Sequence, residues 1–405
     1  MVIEEESIII IRGRCPVSHQ MERFLFNNHY PTSMRIAIVH TYIEKRIEGY
    51  ITLIKLANLL SEQNEVNVVL YEIPKSIERK VREMIGKAHL QFIKYGEIKP
   101  GFIHGMKFEV SGLPDFRLFN YLRRTEYDAI LVISSGQAWW LAFFYHILDP
   151  RKRTIVGLVP TDPPRQVKLE FYVDHKRPHI WEFRSWFFMQ MQYFRLKFFD
   201  IVFGQSKLTN EIFSYFYNIN TIGLAGTFDD TIFNVQHIEN LAKPYIAVPT
   251  VSLDDDRIAL IKRLKSDGVN MRIFGKIRIG IAEELGYVST ETLIDIFRGA
   301  AATLFLFDYE GLGLIPFESL AVGTPVITER KLGPYSDLKD NSYTNFIDIS
   351  EYNSILNLCK NYLNVDRSIE EKEQISRSVS DRTFENYVKI IYENISILSN
   401  NKLKN

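Results

Sequence analysis

Two carboxylates eight positions apart, Glu310 and Glu318, form the pair in this chain whose type and spacing could do chemistry. They lie in FLFDYEGLGLIPFESLAVGTPVIT, residues 305–328. A buried strand is expected to end near Phe307, with Glu310 in the loop behind it. Gly311 and Gly313 would let the backbone come close to a ligand. Pro316 suits the first turn of a following helix, where its missing N–H costs nothing. Eight residues at helical rise span roughly 12 Å, less exact where the segment is loop. That is the reach of a ligand with a hexose at one end and a ribose at the other. One carboxylate would accept hydrogen bonds from sugar hydroxyls and the other from the ribose diol. The N–H groups of the helix start would face a diphosphate between them.

The elements that must position this segment read as two sets of βα units. In the first, strands are expected at 34–40, 66–71, 129–133, 154–159 and 200–204, with a helix over 51–62 after a glycine-bearing loop. The second opens at 245–249 and continues with strands at 271–274, 302–307 and 325–328, with helices over 254–266, 289–299 and 313–322. The tail 368–400 reads as helical. Such alternation predicts two doubly wound, Rossmann-like α/β domains facing each other across a cleft, with ligands outside the carboxyl ends of the strands. The expected division is 1–33 as an N-terminal extension, 34–240 as an acceptor-side domain and 241–380 as a donor domain. Residues 381–405 would form a helix crossing back to the first.

Composition narrows the function. Lysine plus arginine and aspartate plus glutamate number 49 each, so the basic excess of a nucleic-acid protein is missing and no nucleic-acid partner is expected. Two cysteines, Cys15 and Cys359, allow neither a disulfide framework nor a cysteine zinc site, which fits a cytoplasmic setting. None of the nine histidines stands in a metal-binding spacing. His40 ends the first strand, from which it could reach the cleft, but it reads rather as a hydrogen-bonded structural histidine. Neither domain carries a dinucleotide fingerprint after its first strand, which weighs against a dehydrogenase. There is also no G-x-S-x-G elbow and no phosphate-binding G-x-x-x-x-G-K-[ST] loop.

The segment 305–328 resembles the E-x7-E signature of the retaining glycosyltransferases of family four, which have the GT-B fold. The likeness covers both glutamates, the E-G-x-G-L loop, and Ala321, Gly323, Pro325, Val326 and Ile327 after them. Residues 223–233 are similar to that family's N-G-x-D-x-x-x-F segment through Gly226, Asp229 and Phe233, and 283–298 to its G-x-V-S-x-x-E-L-x-x-x-Y stretch. The resemblance implies transfer of a sugar, of hexosyl type, from a nucleotide-diphosphate donor with retention and without a metal or other cofactor. It implies that Glu310 holds the sugar hydroxyls and Glu318 the ribose, while Gly49 and Gly311, Leu312, Gly313 and Leu314 offer backbone N–H groups. Tyr287 and Val288 would lie near the base, and Asp162 would orient the sugar or the acceptor. The acceptor would be a glycan or be linked to lipid or protein.

One stretch departs from the family. Val248 and Pro249 stand where it places a diphosphate-binding arginine, and Asp254, Asp255 and Asp256 surround the position of its lysine. Three readings follow. Lys276 and Arg278 could supply the charge from a neighbouring loop. The aspartates could face solvent with Arg257 turned inward. Or catalysis is lost, leaving a non-catalytic sugar-nucleotide- or glycan-binding protein. The aromatic stretches 139–148 and 179–199 read either as a peripheral membrane or lipid-acceptor contact or as helices buried between domains or subunits. In 179–199 the polar residues do not gather on one helical face, which weighs against an interfacial helix.

Overall fold

The computed structural model describes residues 33–40, 50–71, 75–93, 116–133, 137–149, 154–159, 194–223, 232, 243–251, 253–281, 284–307, 313–331 and 333–404. The first sheet is built from β1 (Arg35–His40), β2 (Glu65–Tyr71), β3 (His89–Ile93), β4 (Ala129–Val132), β5 (Ile155–Leu158) and β6 (Ile201–Val202). Its helices are α1 (Ile51–Leu60), α2 (Lys75–Met84), α3 (Phe116–Arg123), α4 (Trp140–Leu148) and α5 (Lys207–Tyr217). The second sheet holds β7 (Ile246–Thr250), β8 (Met271–Gly275), β9 (Ala302–Phe305), β10 (Val326–Glu329) and β11 (Thr344–Ile347). With it come α6 (Asp255–Ser266), α7 (Thr290–Arg298), α8 (Leu314–Ala321), α9 (Pro334–Leu338), α10 (Tyr352–Leu363), α11 (Ile369–Arg377) and α12 (Phe384–Lys404).

The strand pairings described are all parallel, in the orders β3-β2-β1-β4-β5-β6 and β11-β10-β9-β7-β8. Parallel strands with helices on both faces need apolar side chains on both sides. In β1, Ile36 and Ile38 enter one core with α1. Ala37 and Val39 enter the other with α3 and α4. In β7, Ile246 and Val248 face one side and Ala247 the other. Each strand order reverses once, between β1 and β4 and between β7 and β9. A crevice opens at such a reversal because successive crossovers leave to opposite faces.

Short-range chemistry sets the helix starts. Ser206 and Thr209 form a capping box at α5, and Ser368 with Glu371 forms one at α11. The first turn of α6 carries Asp255 and Asp256 and its last turn Arg263 and Lys265, complementing the helix dipole at both ends. The helical tail is two helices rather than one, with a 3-10 turn at Ser380–Arg382 between them.

That turn lies at the joint between the sheets. α12 buries Phe384, Tyr387, Val388, Ile391 and Ile395, one face at helical spacing, in the core shared with α1 and β1. Lys402 donates to the carbonyl of Thr154 at 3.0 Å and pairs with Asp200 at 2.8 Å. At the other end Asp337 accepts from the backbone N–H of Lys207 at 3.2 Å and from Arg382 Nη1 at 3.0 Å. The Arg382 guanidinium also covers the ring of Phe317, 4.6 Å from its centroid. Side chains of Asp337 and Arg382 are almost fully buried, so this three-element contact ties the two domains at one edge.

Candidate functional site

α8 follows β9 at the reversal of the second sheet. Its N-cap is Gly313, with φ 72° and ψ 78°, a left-handed conformation that glycine adopts without steric cost. As a glycine, this N-cap residue supplies no side-chain cap. Pro316 is its third residue, within the first turn as the sequence predicts. Leu314 and Ile315, with no helical carbonyl four residues back, present N–H groups at the start. Leu314 is half exposed, whereas Pro316 and Phe317 are buried.

Glu318 lies one turn further in. Burial pushes its carboxyl up to about 7, against the opposing pull of Lys55. Lys55 belongs to α1 of the first domain, and its ammonium lies 5.8 Å from the ring centroid of Phe384. The first helix of one domain therefore acts electrostatically on the helix that follows the reversal in the other. Glu310, Gly311 and Leu312 lie outside the described residues, as do Gly49 and Asp162. The segments 226–231 and 233, which support the family likeness, lie outside them too.

A second group gathers at the end of β8. Gly275 has φ 134°, and a side chain there would collide with Thr250, whose N, O and Oγ1 lie 2.7–2.8 Å from the Cβ position. Its N–H donates to the carbonyl of Gly286 at 2.8 Å, which brings Tyr287 and Val288 beside the strand end. Tyr287 is exposed, and Val288 packs against the core. Lys276 is exposed, its backbone N–H bonded to Thr250 O at 3.0 Å. Arg278 donates to the carbonyl of Glu284 at 3.1 Å, and the Glu284 carboxylate accepts from the N–H groups of Ile279 and Ile281. Arg278 thus shapes the 276–286 loop.

The three aspartates have a structural explanation. Asp254 caps α6, accepting from the backbone N–H of Arg257 at 3.1 Å, while Asp255 and Asp256 are exposed in its first turn. Arg257 turns inward, matching one of the three readings of this stretch. Its Nε and Nη2 donate to the two oxygens of Glu329 at 2.6 and 2.5 Å, and its Nη1 donates to Asp254. Glu329 also accepts from the N–H of Phe307 at 3.0 Å. Arg257 and Glu329 are both 3% exposed. Burial alone would lower the guanidinium's affinity for its proton, but the bonds to Glu329 and Asp254 outweigh that and hold its pKa above the ordinary value. The arginine therefore clamps the ends of β9 and β10 to α6. An Asp run directly before a helical pattern signals such a cap; nothing in the sequence marks Glu329 as its partner.

His40 corrects an expectation. It is buried at the end of β1, edge-on to Tyr50 with ring centroids 5.3 Å apart, yet among the described residues neither ring nitrogen has a hydrogen-bond partner. Burial lowers its pKa to about 4, so it is neutral near pH 7. The structural histidine is a packed ring rather than a bonded one. Among the described residues, no group of three histidine, cysteine, aspartate or glutamate side chains gathers as metal ligands. No described helix is long and apolar enough to cross a membrane.

No protein-family model matches the chain, and no curated protein matches it either. Solved structures do. Anabaena HepE in complex with UDP superposes with a TM-score of 0.61 at 12% identity, covering 91% of this chain and 100% of that one. A glycosyltransferase from Rickettsia africae gives 0.60 at 11% identity, over 93% of this chain and 100% of that one. A UDP-N-acetylglucosamine 2-epimerase gives 0.55 at 12% identity, over 91% and 97%. These likenesses carry the fold: two parallel-sheet Rossmann-like domains in the GT-B architecture of nucleotide-sugar glycosyltransferases.

Proposed function

We propose that the protein is a retaining glycosyltransferase, moving a hexose from a nucleotide-diphosphate sugar to a glycan or to an acceptor linked to lipid or protein. The observation that carries this reading is Glu318. It is partly buried one turn inside a helix start, behind a left-handed glycine and eight positions after Glu310, and desolvation raises its carboxyl pKa. A carboxylate there accepts hydrogen bonds from a ribose diol while the N–H groups of the first turn face the diphosphate. Glu310 would hold the sugar hydroxyls, and Asp162 would orient the sugar or the acceptor. Gly49, Gly311 and Leu312 would add backbone N–H groups to those of Gly313 and Leu314. Tyr287 and Val288 would flank the base. In this reading the leaving diphosphate is stabilised by the helix start and nearby cations, with no bound metal.

The test is a calorimetric titration with UDP-, GDP-, ADP- and dTDP-sugars, first without metal and then with magnesium. One of them should bind saturably without metal, and Glu318→Ala should lose that binding. Glu310→Ala should keep the fold and lose transfer by about a thousandfold, as a group whose bonds tighten in the transition state does. Full activity in that variant sinks the assignment. Because an epimerase shares this fold, products are followed by NMR: epimerised donor without transfer would replace the reading by an isomerase.

The acceptor side is proposed to touch a lipid surface. Phe143, Phe194 and Phe198 pack together with ring centroids 5.0–5.6 Å apart, and Trp140 lies 6.1 Å from Phe194. Phe194, Ile147 and Leu148 are exposed around this cluster, with Lys197 beside it, while Leu141, Ala142, Phe144 and Tyr145 of α4 are buried on its sheet. The protein should sediment with anionic phosphatidylglycerol vesicles and less with zwitterionic ones. The double change Ile147→Ser, Phe194→Ser should release it; unchanged sedimentation of that variant removes the contact.

A further inference from the structure

Resting on the donor-binding reading above, the structure leaves open which group meets the diphosphate's charge. Arg257, the cation nearest the expected position, is held by two carboxylates inside the domain. It neutralises Glu329, which would otherwise place a negative charge at the end of β10. Two other strand ends carry lysines: Lys276 after β8 and Lys331 after β10. In the order β11-β10-β9-β7-β8, β10 is a direct neighbour of β9, whereas β8 lies beyond β7. Strands are about 4.8 Å apart, so Lys331 leaves the sheet one spacing from β9 and Lys276 two. Lys331 also leans toward β9. Its ammonium lies 6.0 Å from the ring centroid of Phe307, the last described residue before the start of α8.

We infer that Lys331 is the cation that binds the donor's diphosphate, taking over across the sheet a role that Arg257 cannot fill. The two residues form one arrangement. Arg257 cancels the charge of Glu329, so the field of Lys331, two residues on, reaches the start of α8 undiminished by that carboxylate. An ammonium suits the task because it is a compact charge on a flexible stem that can follow the phosphates.

The experiment measures affinities of wild type, Lys331→Met, Lys331→Arg and Lys276→Met for nucleosides and their diphosphates in the uridine, guanosine, adenosine and thymidine series. Thermal unfolding serves as the fold check. A charge-assisted hydrogen bond is worth ~1.5–3 kcal/mol, so Lys331→Met should weaken diphosphate binding about ten- to a hundredfold. Its affinity for the bare nucleoside should stay unchanged, Lys331→Arg should keep most of the diphosphate affinity, and Lys276→Met should lose little. Diphosphate binding by Lys331→Met at wild-type strength overturns the inference. An equal loss of nucleoside and diphosphate also overturns it, since that is damage to the site rather than loss of a phosphate contact. Transfer of the effect to Lys276→Met does the same. If the wild type binds no member of any series, the donor-binding reading fails, and the inference falls with it.

Discussion

Replacing Arg257 with methionine should destabilise the second domain by ~3–5 kcal/mol, the cost of leaving a buried partner charge unpaired. The partner is Glu329, 3% exposed, which would keep only the N–H of Phe307 among its described donors. The sign follows from desolvation. A paired buried ion gains back in Coulomb attraction and hydrogen bonds what it lost in hydration, and a lone one gains nothing. Denaturant unfolding followed by fluorescence, at protein concentrations low enough to refold, measures the change as a lower midpoint. The double variant Arg257→Met, Glu329→Gln should recover much of the loss, because it removes both charges and leaves a neutral amide that can still accept from Phe307. A single variant that unfolds at the wild-type midpoint would mean that the carboxylate reaches water. The clamp joins β9, β10 and α6, so its loss should also weaken donor binding, and the double variant should restore only part of it.

Changing Glu318 to glutamine should raise the melting temperature at pH 8 while weakening the binding of a nucleotide sugar. Its folded pKa is about 7, against 4.5 for an ordinary glutamate, and burial is the main cause. The folded state therefore holds its proton more tightly than the unfolded state. Stability must fall as pH rises from the unfolded value through the folded one, and the full penalty is present above pH 7. Glutamine carries no such penalty. The gain in melting temperature should be largest at pH 8 and vanish near pH 4, where the carboxyl is protonated in both states. Donor binding should move in the opposite sense with pH. If the ribose needs the carboxylate, the ionised fraction near pH 6 is about a tenth and near pH 8 about nine-tenths, so affinity should drop about tenfold between them. The glutamine variant should show a flat profile. A wild-type profile flat over this range would mean that the ribose does not depend on the ionised form. A site that is less stable than it could be is the usual cost of burying a functional charge.

The order of strands and helices around the site was legible because each element has a local cause. β1 reads IAIV with both faces apolar, as a strand covered by helices on each side must. α8 could be placed to within a residue at each end, because Gly313 ends the loop and Pro316 suits only a first turn. Two strands were missed for the same kind of reason. β3 (HLQFI) and β11 (TNFI) are short, lie at the outer edges of their sheets and carry polar residues, so no apolar run marks them. The 3-10 turn at 380–382 was hidden because the helical pattern on either side is strong; its last residue, Arg382, bonds to Asp337 in another element.

What the chain determined by itself is therefore local: which stretches are strands and helices, where glycine is needed, and that two carboxylates stand eight positions apart around a helix start. These follow from backbone sterics, side-chain periodicity and capping, which act over a few residues. What the tertiary structure alone decided is how the charges are paired. Arg257 and Glu329 are 72 positions apart in sequence, Lys207 and Asp337 are 130 apart, and Lys55 acts on Glu318 from the other domain. A formal charge count records each of these groups as one unit. In the folded protein the inward guanidinium is neutralised, and a partly buried glutamate holds its proton up to about pH 7. Electrostatic energy depends on distance and on the surrounding dielectric, and both are set only when remote segments meet.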